Sequence, residues 1–257
     1  MERMYTLDTL RISVSDTRSE LGCAGASYLA GLIRQVAAVK GEVNMIFASA
    51  PSQMDVLNKL LEDDTLPWER INAFHMDEYI GLPGDAPQSF GNYLRTRFFT
   101  KKPFKSVHYL DGNAADPQKE CARYSDLLRS YPVDISVVGI GANGHLAFND
   151  PGIARFDDPA LVKINAQLDD VCIRQQVDDK WFQAPSDVPA SALTLTIPAL
   201  TNAPYLVAIV PSSSKAAIIG RFVKGAISEE CPATIIRRHP NAVLFLDADS
   251  ASQADLM

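Results

Sequence analysis

Cysteine is scarce in this sequence, and its few copies lie far apart. They form no Cys-x-x-Cys pair, and no spacing to histidine fits a zinc site. A disulfide framework and a structural zinc site are therefore not expected, and we predict reduced thiols of the kind typical of a cytoplasmic protein. The four residues are Cys23, Cys121, Cys172 and Cys231.

Clustered positive charge and long apolar runs are also missing. The formal net charge is −7 and there is no basic run, so binding to nucleic acid or to an anionic membrane has no electrostatic support. No stretch approaches the roughly 18 apolar residues of a membrane span, and residues 1–18 lack the apolar core of a signal peptide. We expect a cytoplasmic protein without nucleic-acid or membrane partners.

Hydrophobic residues make up 47% of the 257 residues and occur in two alternating kinds of segment. Short apolar runs predict buried strands, and longer segments with helical spacing predict helices. Residues 157–181 are mixed, with a strand at 162–168 as the best interpretation, and the chain from Asp247 is expected to be a tail. The alternation predicts one α/β domain over 1–257, with three αβα layers and a mainly parallel, Rossmann-like sheet. The other expected strands are 10–14, 43–48, 68–74, 107–110, 135–138, 192–197, 205–210 and 243–246, and the helices 19–39, 54–61, 89–99, 117–130 and the segment after Lys215.

A glycine-rich turn follows the apolar run at 135–138. Gly139, Gly141 and Gly144 let the backbone turn sharply or approach a ligand, and His145 comes next. Ligands bind just past the C-terminal ends of strands in open α/β sheets, so a catalytic or sugar-binding turn is favoured over a histidine that only caps a carbonyl. The spacing also fits a dinucleotide fingerprint, but the residues that follow do not open a clean helix.

Two adjacent carboxylates, Asp77 and Glu78, follow the strand predicted at 68–74. Successive strand residues point to opposite faces. One carboxylate can therefore enter a pocket while its neighbour serves the structure. A surface acidic pair is the alternative, but the apolar residues on both sides disfavour full exposure.

Two serine-containing turns each join a strand to a helix. The first contains Ser49, Ala50 and Ser52, and the second runs from Ser212 to Lys215. Backbone amides at a helix N-terminus favour an anion, although an ordinary serine cap would give the same pattern. Both turns, the carboxylate pair and the glycine-rich turn follow strands, so we predict that these four clusters converge at one edge of the sheet.

Two long segments resemble signatures of the glucosamine-6-phosphate deaminases. They are 74–82, with the sequence FHMDEYIGL, and 139–151, with the sequence GIGANGHLAFNDP. Later segments at 192–194 and 214–215 also fit, so the resemblance covers nearly the whole chain. The related 6-phosphogluconolactonases share the Gly-x-Gly-x-x-Gly-His core but lack the Ala-Phe-Asn continuation present at 147–149.

The resemblance implies conversion of an amino-sugar 6-phosphate to a ketose 6-phosphate plus ammonia, with no metal or organic cofactor. Asp77 would move the C2 proton to C1, and His145 would shuttle a proton at the ring oxygen during ring opening. Asn143 and Asp150 would orient and tune the histidine. The contacts expected for substrate and phosphate are Ser49, Ala50, Ser52, Glu78, Lys180 and Lys215.

The sequence departs from the family pattern in its phosphate loop and beside the histidine. The segment 48–52, Ala-Ser-Ala-Pro-Ser, replaces a loop of glycine, serine and threonine. Asn143 stands where many members have Asp, and Asp150 stands where Glu is usual. The family's phosphate-binding Arg has no clean match; Lys180 is the nearest cation and Arg174 the second choice.

Two other functions could use the same pocket. A lactonase or plain sugar-phosphate isomerase would use His145 to activate water, and Asp77 would be dispensable. A sugar-phosphate sensor would bind without turnover, since a fold alone does not establish chemistry. The sequence leaves open the hexosamine epimer, phosphorylation of the substrate and assembly into a homo-oligomer.

Overall fold

The computed structural model describes residues 2–256, in which short strands alternate with helices. The strands are β1 (Arg3–Leu7), β2 (Leu10–Ser15), β3 (Val43–Phe47), β4 (Ile71–His75), β5 (Asp77–Tyr79), β6 (Ser106–His108), β7 (Ile135–Val138), β8 (Val162–Asn165), β9 (Ala192–Leu195), β10 (Tyr205–Val210) and β11 (Ala242–Asp247). The α-helices are α1 (Arg18–Lys40), α2 (Met54–Leu61), α3 (Phe90–Arg97), α4 (Pro117–Ser130), α5 (Asp170–Asp178), α6 (Ile197–Thr201), α7 (Ala216–Lys224) and α8 (Ala248–Ala251).

The strands form a large sheet and a small one. Within residues 2–256, the large sheet has eight strands in the order β1-β2-β11-β10-β7-β3-β4-β6. Only β1 is antiparallel to its neighbour among these strands; the other pairs are parallel. The prediction of an α/β fold with a mainly parallel sheet is confirmed. The small sheet, β5-β9-β8, is antiparallel and was not predicted.

The large sheet has an apolar layer on each face, as three αβα layers require. On one face α1 packs against β11, β2 and β3, and α2 packs against α1, with Leu29, Ile33 and Leu57 fully buried. On the other face α7 packs against β10 and β11, with Ile219 and Phe222 fully buried. Strands buried on both faces read as continuous apolar runs in the sequence, which explains why they were found.

A third apolar cluster lies under the small sheet and α5. Tyr79, Phe148, Cys172 and Phe182 pack there, and the Tyr79 ring stacks on Phe90 with 4.9 Å between the centroids. This cluster fixes the position of α5, which the sequence left unassigned because the helix has few buried residues. The small sheet and α5 together cover the C-terminal ends of the central strands.

Several expected boundaries were wrong for physical reasons. The strand expected at 68–74 begins only at Ile71, because Trp68 donates its indole N–H to the carbonyl of Asp63 at 3.1 Å and Trp68–Arg70 forms a 3-10 turn. The expected tail contains α8, which Asp247 caps by accepting the N–H of Ser250 at 2.8 Å. Within residues 2–256, no helix has the length and apolar character needed to cross a bilayer.

Candidate active site

One cavity joins residues from all four predicted polar clusters. It lies beyond the C-terminal ends of β10, β7, β3 and β4, which are neighbours in the sheet. The C-terminal ends of parallel strands are the usual ligand site of open α/β sheets. The cluster residues that line the cavity are Ser49, Ala50, Ser52, Asp77, Gly139, Gly141, His145, Ser212, Ser214 and Lys215.

The His145 ring is held in one orientation by its neighbours. Its Nδ1 lies 2.8 Å from Asn143 Oδ1 and 3.2 Å from Asp150 Oδ1. Both oxygens are acceptors, since the Asn143 amide nitrogen donates elsewhere, so Nδ1 carries the proton of the neutral ring. The lone pair is then on Nε2, which packs against the backbone of Gly141. A Cβ added at Gly141 would lie 2.0 Å from Nε2, so this position requires glycine.

Asp150 is the centre of the hydrogen-bond network behind the histidine. Asn143 Nδ2 donates to Asp150 Oδ1 at 3.1 Å, and Asn165 Nδ2 donates to Asp150 Oδ2 at 3.2 Å. Burial alone would raise the pKa of Asp150, but the hydrogen bond and charge of His145, with the amide donors, lower it below its usual range. The carboxylate therefore stays ionised. Asn143 stands where the family resemblance would suggest Asp, and it carries no charge. The Asp150 carboxylate therefore supplies the negative charge beside the imidazole.

Asp77 projects from the first residue of β5 into the same cavity. Its carboxylate accepts no hydrogen bond from any described residue, in contrast to Asp150. Burial, followed by the like charge of Glu78, raises the pKa of Asp77 to about 8. A carboxylate with this pKa can both take and return a proton near neutrality.

Glu78 does not line this cavity, although the sequence analysis placed it among the substrate contacts. Its carboxylate accepts hydrogen bonds from the hydroxyl of Ser89 at 2.7 Å and from the N–H groups of Gly91 at 2.9 Å and Phe90 at 3.2 Å. These are donors at the start of α3. Glu78 therefore anchors α3 to β5, because alternation along β5 turns it away from the face that carries Asp77.

The two serine turns line the same cavity as His145. The Ser49 hydroxyl donates to the carbonyl of Phe90 at 3.1 Å. Ser212 has a φ of 92°, a left-handed conformation that is strained for a non-glycine residue. The Asp247 carboxylate accepts the Ser212 N–H at 2.9 Å and holds this conformation. Lys215 Nζ lies 3.5 Å from Gln175 Oε1.

The expected second cation is not in the cavity. Lys180 and Arg174 are both exposed and neither lines it. The backbone at Lys180 has a φ of 63°, which turns the chain at the end of α5. Other residues that line the cavity were not predicted, among them Arg18, Gln175, Asp179 and Trp181. Arg18 could have been found, because it follows β2 just as the other clusters follow their strands.

His145, Asp150 and Cys172 bring possible metal-ligating atoms within 4.8 Å of one another. Two of these groups are already joined, since Nδ1 and the carboxylate lie 3.2 Å apart. The expectation that the chemistry needs no metal stays a prediction.

The fold and the cavity define a class of protein. It is an α/β protein with a doubly wound parallel sheet and a cavity at the strand ends that is lined by a histidine and a carboxylate. Residues 16–245 match the family described as glucosamine-6-phosphate isomerases/6-phosphogluconolactonase. The chain belongs to this family.

Individual relatives and solved structures are similar over most of their length. The glucosamine-6-phosphate deaminase of Listeria innocua is 33% identical over 212 residues, covering 82% of this chain and 88% of the relative. The Bacillus cereus (strain B4264) deaminase is 31% identical over 244 residues, covering 95% and 88%. A monomeric glucosamine-6-phosphate deaminase superposes with a TM-score of 0.85 at 27% identity, covering 94% and 99%. The Thermotoga maritima 6-phosphogluconolactonase shares the fold with a TM-score of 0.72 at 21% identity, covering 93% and 98%.

Proposed function

We propose that this protein converts an amino-sugar 6-phosphate, glucosamine 6-phosphate or an epimer, to a ketose 6-phosphate and ammonia. The observation that carries the proposal is the placement of an oriented histidine and a buried carboxylate in one cavity. Among the described residues, His145 Nε2 has no hydrogen-bond partner, and the Asp77 carboxylate accepts no hydrogen bond. The relatives named as deaminases at 31–33% identity support the same reaction.

Ring opening would use His145. The bond between C1 and the ring oxygen breaks as Nε2 accepts the proton of the C1 hydroxyl and returns a proton to the ring oxygen. The imidazolium formed between these transfers would lie beside the Asp150 carboxylate, whose oxygen is 3.2 Å from Nδ1. The product of this step is the open-chain aldehyde.

Isomerisation would use Asp77. Its carboxylate takes the proton from C2, next to the aldehyde, and returns it to C1. The aldehyde oxygen takes up a proton as the amine nitrogen gives one up, so C1 becomes an alcohol and C2 becomes an imine. Water then hydrolyses the imine to the ketone and releases ammonia. A base close to its pKa at the operating pH suits a proton that is both taken and returned.

The proposal is tested by ammonia release from glucosamine 6-phosphate and galactosamine 6-phosphate, with His145→Ala as the control. We expect ammonia and ketose 6-phosphate in equal amounts from at least one epimer, and none above background from the variant. Absence of ammonia from both sugars with wild-type protein would contradict the proposal.

A lactonase reaction is the second candidate, because the solved 6-phosphogluconolactonase shares the fold. Asp77→Asn separates the two reactions. The deamination mechanism predicts a fall in kcat of about 10²–10⁴, the usual contribution of a general base. Near-normal hydrolysis of a sugar lactone by this variant would favour the lactonase.

The proposal also includes the partner, the location and the domain organisation expected from the sequence. A sugar phosphate is the proposed partner, and the cytoplasm is the proposed location. One domain spanning 1–257 is the proposed unit.

A further inference from the structure

Lys215 alone would not balance the negative charge of a phosphate group in the cavity. A phosphate monoester carries a charge of about −1.5 to −2 at neutral pH. Lys215 supplies a single charge, and burial lowers its pKa and so weakens its hold on the proton. Asp179, another residue of the lining, adds negative charge close by. Among the Lys and Arg residues in 2–256, Arg18 is the other that lines the cavity.

Arg18 lies at the first residue of α1, beside the loop that resembles a phosphate site. Its Nε donates to Asp55 Oδ2 at 2.7 Å, and one terminal nitrogen, Nη2, donates to the carbonyl of Pro51 at 3.3 Å. The other terminal nitrogen, Nη1, has no acceptor among the described residues. The side chain is 46% exposed, and Arg18 is one of the residues that line the cavity.

The packing of α1 on α2 fixes Arg18 in this position. Gly22 lies one turn further along α1, on the same face as Arg18. A Cβ at Gly22 would lie 3.0 Å from the Asp55 carbonyl oxygen, so the two helices meet as closely as glycine allows. Arg18 is thereby held against the start of α2 and the 50–52 loop.

From this geometry we infer that Arg18 binds the phosphate of the substrate, as the second cation beside Lys215. The inference rests on the proposed function only in taking a sugar phosphate as the ligand. An arginine suits this role because it stays charged at any working pH and offers several N–H donors to phosphate oxygens. It replaces the charge that Lys180 and Arg174 do not bring to the cavity.

A purely structural role for Arg18 makes a different prediction. If Arg18 served only to tie the 50–52 loop to α1, removing its partner would have the same effect as removing Arg18. Asp55→Ala breaks the ion pair but leaves the guanidinium in place. Arg18→Gln removes the charge, and Arg18→Lys restores a charge without the planar group.

The experiment measures dissociation constants of fructose 6-phosphate, inorganic phosphate and unphosphorylated fructose by calorimetry, for wild type and the three variants. We expect Arg18→Gln to weaken the binding of fructose 6-phosphate and of inorganic phosphate about 10-fold to 100-fold. This is the range for loss of a hydrogen bond to a charged group. Arg18→Lys should recover part of this loss, and Asp55→Ala should stay within about threefold of wild type. Any weak binding of fructose should not change.

Two results would overturn the inference. One is binding of both phosphate ligands by Arg18→Gln within twofold of wild type. The other is equal weakening by Asp55→Ala and Arg18→Gln, which would assign Arg18 to loop anchoring. Because the readout is binding, a wild-type protein that releases no ammonia but loses phosphate affinity in Arg18→Gln would refute the proposed reaction and support this inference.

Discussion

The two halves of the cavity are built differently. Around His145, Nδ1, the Asn143 amide and the Asp150 carboxylate are linked by contacts of 2.8–3.2 Å, and the Asp150 side chain is buried. Around the proposed phosphate contacts, the Arg18 side chain is 46% exposed and Lys215 makes one long contact of 3.5 Å. The half proposed for acid–base chemistry is therefore held by its own hydrogen bonds, whereas the half proposed to bind phosphate, here called the phosphate half, has donors with few partners among the described residues.

This difference follows from what each half must do. A proton shuttle works only if its ring is oriented throughout the reaction, and a buried network fixes that orientation because unpaired polar groups there are costly. A phosphate is bound by charge and by several donors, so small adjustments are tolerated. Changes in the histidine half should lower kcat, and changes in the phosphate half should raise KM.

The largest effect is expected from Gly141→Ala. The added Cβ would overlap the ring of His145, with 2.0 Å to Nε2 and 2.1 Å to Cε1. The ring must move, and we expect kcat for ammonia release to fall by about 10²–10⁴, since the variant loses its acid–base group. Gly31→Ala is the matched control, because its Cβ meets nothing within 4 Å and it lies in α1. A Gly141→Ala variant with kcat within threefold of wild type would contradict the ring position described here.

Asp150→Asn should have the next largest effect. Asn143 Nδ2 and Asn165 Nδ2 both donate to the Asp150 carboxylate, so an amide at 150 brings a donor to a site filled with donors. We expect kcat to fall about 10²-fold and the free energy of unfolding to fall by about 1–3 kcal/mol, the cost of a buried unsatisfied group. Kinetics and urea unfolding would measure both.

Asp126→Asn is the control for this change, because it alters an exposed ion pair with Arg129 on α4. Its effect on stability should be below about 1 kcal/mol. Equal effects of the two substitutions on kcat would show that the Asp150 network has no special role.

Sequence patterns sufficed for the parts of this protein that depend on local order. Helix α4 and strand β10 occur at the residues predicted, because caps, turns and apolar periodicity mark their ends. The carboxylate pair and the glycine-rich turn were found for the same reason. Glu78 was misplaced because its role depends on donors in α3, more than ten residues away.

Other features depended on contacts between distant segments. The sheet β5-β9-β8 forms only because three short strands meet over the cavity, and nothing local in β5 favours a strand. Arg18 is held beside the cavity by its ion pair with Asp55, which lies 37 residues later in the chain. Asp247 was read as the start of a tail, whereas it holds Ser212, 35 residues earlier. Such pairs leave no periodic signal in one sequence.

We expect kcat/KM to change about tenfold with pH. Burial and Glu78 raise the pKa of Asp77 to about 8, and a base acts only when ionised. We therefore expect kcat/KM to rise with pH through about 8 and to level off above it. A stopped assay of ammonia in constant-ionic-strength buffers measures this profile. An acid limb near pH 4 would contradict the tuning of Asp77.

The raised pKa of Asp77 also predicts how the stability of the fold changes with pH. The folded state keeps the Asp77 proton up to about pH 8, whereas the unfolded chain releases it near 4. Between these values the folded state binds more protons, so Asp77 lowers stability as pH rises. Asp77→Asn should reduce the decline of Tm with pH over this window, which scanning calorimetry can measure.

The smallest effect is expected from Asp247→Ala, on the phosphate half. The variant removes the acceptor of the Ser212 N–H, so the strained φ of 92° loses its support and the turn before Lys215 relaxes. We expect KM for the sugar phosphate to rise about fivefold with kcat changed less than twofold, since a few tenths to about 1 kcal/mol separates a held turn from a relaxed one. Asp249→Ala on the same helix is the control, because Asp249 is exposed and its carboxylate accepts no hydrogen bond among the described residues. If Asp247→Ala lowered kcat as strongly as Asp150→Asn, the two halves would not be separable, and the phosphate turn would take part in orienting the histidine.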